Sequence, residues 1–165
     1  MKKPKKAKKI RKVYMAGSME GRSYESLFYE HYYVRQQLVN LGLEVFDPLL
    51  KEDHVPGKTV GLKGCGLAPL KVYKQDLGAV EKADIVFWIT GDIQSEGSVC
   101  EVAWAGCMNK FIKKPFKEIV IVSPRRHKSM PKAKRLIHFS SMHNGAFVVK
   151  SVDDGIQYIK KKFSL

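Results

Sequence analysis

The sequence predicts a doubly wound α/β fold, flavodoxin-like or Rossmann-like, with a mostly parallel sheet of about five strands and helices on both faces. Three observations carry that expectation. Short apolar runs alternate with helix-period segments along the chain. Runs such as "IVFWI" and "IVIV" show no polar alternation, as strands buried on both faces require. Polar, Gly-containing stretches follow several of the runs, and open parallel sheets bind ligands beyond the carboxyl ends of their strands.

The elements follow in order. "KVYMAG" (12–17) reads as a buried strand ending in glycine. From Tyr24 to Leu41, Tyr24, Leu27, Phe28, Tyr32, Leu38 and Leu41 recur at helical spacing, and Gly42 stands where a helix stops. "LEVFDP" (43–48) is a second strand, closed by proline. Residues 51–69 have no period and read as a long loop, of the kind that often carries function. A helix from about Leu70 to Lys82 precedes the strand "DIVFWIT" (84–90). Then come a loop, a helix carrying Glu101, the strand "EIVIVS" (118–123), a basic segment, the strand "AFVVK" (146–150) and a last helix over about 152–163.

The length of 165 residues suits one domain, taken as 13–165 behind a tail of 1–12. With 44% hydrophobic and 28% charged residues, the chain has enough apolar side chains for a core and no run long enough for a membrane span. The net charge of +14 is unevenly placed: "MKKPKKAKKIRK" holds eight of the thirty Lys and Arg and no acid. Such a block reads as a disordered, solvated appendage, with weak nucleic-acid contact as the alternative. A second cluster, "RRHKSMPKAKR" (125–135), adds six cations. The basic N-terminus lacks a signal-like apolar region, and the three cysteines lack metal-ligand spacing. Cys100 and Cys107 read as small buried hydrophobes in a reducing compartment, which points to the cytoplasm.

Several motifs admit competing readings. "GKT" (57–59) is not a P-loop, because position 52 is Glu where the motif needs Gly and no strand leads into it. "AGSMEGR" after the first strand offers Gly17, Gly21, Ser18 and Arg22, a set that suits an anion such as a 5'-phosphate or merely begins a helix. Ser98-x-x-Glu101 matches the capping box, which would make Glu101 a structural residue. Against that, Val102, Ala103, Trp104 and Ala105 give the Glu101 carboxylate an apolar border, and desolvation leaves a carboxylate reactive. Asp76, Asp92 and Glu96 bring further acids towards one rim. Several carboxylates around one crevice suit chemistry at a sugar anomeric carbon, one attacking and another handling the leaving group's proton.

Three segments in order, "VYMAGSMEG", "YKQDLGAVEKADIVFWI" and "SEGSVCEVAWA", resemble the nucleoside 2-deoxyribosyltransferase family and, within it, the branch of 5'-monophosphate N-glycosidases. The resemblance runs from about Val13 to Phe147. It implies that Glu101 is the nucleophile, that Tyr14 lies near it and that Asp76 contacts the bound nucleoside. It further implies that Gly97 and Ser98 sit at the substrate's 5' end. "SSMHNGA" resembles the segment that reaches across a homodimer, so Ser140 and Met142 would complete the neighbouring site. The family's second base-contacting acid, six residues before the nucleophile, is replaced by Ser95, with Asp92 and Glu96 close but not aligned. That departure favours hydrolysis over base exchange.

The sequence therefore predicts an enzyme that cleaves the N-glycosidic bond of a nucleotide, with no metal and no cofactor. Glu101, Tyr14 and Asp76 are the expected catalytic residues. Gly17, Ser18, Arg22, Asp92, Gly97 and Ser98 are the expected binding residues. Base exchange between deoxynucleosides is the alternative within enzymes, and a non-catalytic nucleotide or nucleic-acid sensor is the alternative outside them. A cytokinin-type phosphoribohydrolase is set aside, since its Pro-Gly-Gly-x-Gly-Thr signature is missing.

Overall fold

A computed structural model describes residues 10–19, 21–51, 69–90, 95–112, 116–123 and 146–165. The order is β1 (Lys12–Gly17), α1 (Tyr24–Asn40), β2 (Glu44–Phe46), a 3₁₀ turn (Pro48–Leu50), α2 (Pro69–Lys82) and β3 (Ile85–Ile89). It continues with α3 (Glu96–Cys107), a π turn (Met108–Ile112), β4 (Glu118–Val122), β5 (Phe147–Val149) and α4 (Val152–Phe163). The five strands form one parallel sheet in the order β2-β1-β3-β4-β5. The doubly wound α/β fold is therefore as the strand and helix pattern predicts.

Alternation along the strands divides the core into two layers. Val13, Met15, Ile85, Phe87, Ile89, Val120 and Val122 face one side, where Val34 and Leu38 of α1 and Ile156 and Ile159 of α4 cover them. Tyr14, Ala16, Val86, Trp88, Ile119 and Ile121 face the other, beneath Val80 and Ala83 of α2 and Val102 and Ala105 of α3. Every residue of β3 and β4 is buried, which is why both read as unbroken apolar runs. Below the sheet, the Lys117 ammonium donates to the Glu81 and Ala83 carbonyls, both at 2.7 Å, and so holds the C-terminal end of α2.

Two expectations are corrected. Cys100 and Cys107 are exposed thiols on the outer face of α3, because the buried stripe of that helix is Ser98, Val102, Ala105 and Gly106. The buried stripe of α1 is Leu27, His31, Val34 and Leu38, so Tyr32 is half exposed and a histidine takes its place in the interior.

Candidate active site

In this strand order, α1 leaves β1 towards one face and α3 leaves β3 towards the other. The crevice therefore opens between the carboxyl ends of β1 and β3, where Gly17 pairs with Ile89. Ser98, buried in the first turn of α3, donates its hydroxyl to the Gly17 carbonyl at 2.8 Å and so ties the helix to the end of β1. The cap of α3 is Ser95, whose Oγ accepts from the Ser98 amide at 3.3 Å. Ser98 is thus the third residue of the helix, and Glu101 lies one turn beyond the place a capping-box glutamate occupies. The capping reading of Glu101 is corrected here. Two serines three residues apart both suit a cap, and with the Ser98 hydroxyl turned to the Gly17 carbonyl the cap is Ser95.

Glu101 is half buried, and its neighbours Val102 and Ala105 are packed on the sheet. Side chains on a helix lean towards its N-terminus, so this carboxylate leans towards the rim where Ser98 is anchored. On the same side of the sheet, α2 packs beside α3 and buries Asp76 one turn before Val80. Asp76 is 7% exposed, and its Oδ1 has no hydrogen-bond partner among the described residues. Burial raises its pKa from the usual carboxylate range to about 6. Tyr14, wholly buried in β1, faces this layer too and stacks on Phe46 with ring centroids 5.7 Å apart. Tyr14, Asp76, Ser98 and Glu101 thus come from three elements on one face of the sheet.

The turn after β1 divides its expected roles. The Ser18 hydroxyl is buried without a partner among the described residues, as a group awaiting a ligand would be. Arg22 is already engaged: its guanidinium meets both Glu30 oxygens, at 2.8 and 3.4 Å, and reaches the Ser18 carbonyl at 3.4 Å. Gly97 lies in the first turn of α3, above the Ser98 anchor. Asp92, Ser140 and Met142 lie outside the described residues.

One buried pair joins residues far apart in the sequence. His31, 2% exposed, places Nδ1 2.8 Å from Asp47 Oδ1, which also accepts from the Leu49 amide at 3.1 Å. A Cβ on Gly17 would stand 3.2 Å from His31 Nε2, so only glycine fits comfortably between this pair and the crevice. The available signals were the i, i+4 spacing of Leu27 and His31 and the Asp-Pro cap of the turn after β2. Among the described residues no three His, Cys, Asp or Glu side chains converge as a metal site would require, and no helix is long and apolar enough to cross a membrane.

The class this geometry defines is that of open parallel α/β proteins with a carboxylate-bearing crevice at the switch point between β1 and β3. Solved structures share the fold. BlsM, determined in solution, matches with a TM-score of 0.64 at 18% identity, over 94% of this chain and 95% of its own. The CMP N-glycosidase BcmB of Clostridium botulinum matches with a TM-score of 0.57 at 16% identity, over 92% of this chain and 99% of its own. A 2-deoxyribosyltransferase of Bacillus psychrosaccharolyticus matches with a TM-score of 0.57 at 20% identity, over 87% of this chain and 88% of its own. At these identities the likeness is one of fold. No protein-family model and no curated protein matches the sequence.

Proposed function

We propose that this protein is an enzyme that hydrolyses the N-glycosidic bond of a nucleoside or deoxynucleoside 5'-monophosphate. The observation that carries the reading is Asp76, a buried carboxylate with a raised pKa, on the same face of the sheet as Glu101 and Tyr14. Fold neighbours described as a CMP N-glycosidase and a 2-deoxyribosyltransferase support the same chemistry. In the first step a Glu101 oxygen bonds to the anomeric carbon while the bond to the base breaks, and the base leaves with the electron pair. Asp76 orients the nucleoside and, in its protonated form, offers the proton that the departing base takes up. Water then attacks the anomeric carbon, frees Glu101 and gives up its second proton to Asp76, which restores the enzyme. Ser18, Gly97 and Ser98 border the place for the 5'-phosphate, whose fixed position lends binding energy to the step at the sugar. Ser95 favours water over an incoming base, because it is the helix cap here and carries no carboxylate.

The reading includes a homodimer in which Ser140 and Met142 of one chain complete the other's site. Exposed Leu70, Tyr73, Trp104, Phe111 and Ile112 along α2 and the end of α3 offer the apolar surface such a contact needs. Exposed free thiols at Cys100 and Cys107 suit a reducing cytoplasm. The basic tail is assigned weak nucleic-acid contact at most. The test is chromatographic: common nucleotides and their nucleosides are incubated with wild type and Glu101→Ala, and free base is measured. Release from monophosphates by wild type alone supports the reading. Equal release by the variant overturns the role of Glu101, and binding without turnover in either returns the sensor reading.

A further inference from the structure

We propose that the cleft between α2 and the β1–β2 edge of the sheet is a second ligand site, taking an organic phosphate of mononucleotide size. The cleft measures about 300 Å³ and is lined by Lys12, Glu44, Phe46, Lys74, Gln75 and Lys82, with Gly78 between the last three. That volume is at the lower end for small-molecule sites. Tyr14, Asp76, Ser98 and Glu101 do not line it, so it is separate from the candidate active site.

The sequence of α2 builds the cleft. Lys74, Gly78 and Lys82 stand four residues apart on one line of the helix, which sets the two lysines about 12 Å apart along its axis at 1.5 Å per residue. Glycine inside a helix is destabilising relative to alanine. Gly78 has no positive φ to require it, and a Cβ there would meet nothing within 4 Å. Neither backbone nor packing among the described residues calls for glycine, whereas a notch between two ammonium groups does. Ala79, Ala83 and Val13 form the apolar floor, and the ring of Phe46 offers a flat surface.

The polar groups match an anion. Lys12 is paired with Glu44 at 3.2 Å, which leaves Lys74 and Lys82 with no ion pair among the described residues. Gln75 Nε2 is buried with no hydrogen-bond partner among them, a donor in need of an acceptor. A phosphate between the lysines and a flat base against Phe46 use both halves of the cleft. Since Phe46 stacks on Tyr14, an occupant would sit one ring away from the candidate active site.

The test is an NMR titration of the full chain carrying Glu101→Gln, with nucleoside 5'-monophosphates, matched nucleosides and inorganic phosphate. The expected result is shifts at the Gly78, Ala79 and Lys82 amides, with monophosphates binding at least about tenfold tighter than nucleoside or phosphate alone. Gly78→Leu, which fills the notch, should erase these shifts. Lys74→Glu with Lys82→Glu should weaken binding by at least about tenfold while the spectrum stays folded. Signals at Gly97 report separately on the crevice between β1 and β3. Silence at Gly78 with every ligand, unaltered binding in Gly78→Leu, or nucleosides or phosphate alone binding as tightly as monophosphates would overturn the proposal.

Discussion

The two sides of β1 each bury a carboxylate, one paired with a histidine and one set against an apolar layer. Towards α1, Asp47 Oδ1 meets His31 Nδ1 at 2.8 Å and accepts from the Leu49 amide, so these two groups partner each other. Asp47 Oδ2 and His31 Nε2, however, are buried without a hydrogen bond among the described residues. Towards α2 and α3, Asp76 is buried with one carboxylate oxygen unmatched, and its pKa rises to about 6. A buried carboxylate without a partner destabilises the fold at neutral pH, and such groups concentrate at functional sites. The first pair braces the rim, and the second side is where the proposed chemistry is placed. Gly17 is the hinge between them, with His31 against one face and the Ser98 hydroxyl on its carbonyl.

Four substitutions test that contrast. Glu101→Gln should have the largest effect, a fall in base release of roughly 10³-fold or more with the thermal midpoint little changed. Asp76→Asn should lower turnover by roughly 10²-fold, yet stabilise the protein. The sign follows from the raised pKa: the folded state holds the proton more tightly, so the penalty is absent below the unfolded value near 3.8 and complete above about 6. Denaturant titrations should therefore show a stability gain for Asp76→Asn at pH 7.5 that shrinks towards zero at pH 4, on the order of 1–2 kcal/mol.

His31→Ala should do the reverse. Loss of a buried partner costs about 2–4 kcal/mol, read as a lower denaturation midpoint, while turnover per folded molecule stays within a few-fold of wild type. Arg22→Ala should have the smallest effect: below about 1 kcal/mol in stability, because the pair with Glu30 is partly exposed, and only a few-fold in KM. A large rise in KM for Arg22→Ala would mean that the guanidinium leaves Glu30 for the substrate.

Much of this was legible in the sequence because it rests on local periodicity. The apolar runs of β3 and β4 gave their own burial, and "SEGSVCEVAWA" placed Glu101 on a helix at the rim. What escaped depends on packing between distant segments. His31 meets Asp47 across 16 residues, and Arg22 meets Glu30 across a turn. The choice of Ser95 over Ser98 as cap depends on a bond from Ser98 to a carbonyl 81 residues away. The exposure of Cys100 and Cys107 followed from which stripe of α3 the sheet covers, and α3 is apolar enough around its circumference that composition alone did not show it.

Covalent catalysis by Glu101 is tested by acid-quench mass spectrometry of the protein incubated with the monophosphate that the base-release screen identifies. One sugar-phosphate adduct per chain is expected, mapped to the peptide that contains Glu101 and lost in Glu101→Gln. Base release with no adduct under single-turnover conditions, or an adduct that persists in Glu101→Gln, would contradict covalent catalysis by Glu101.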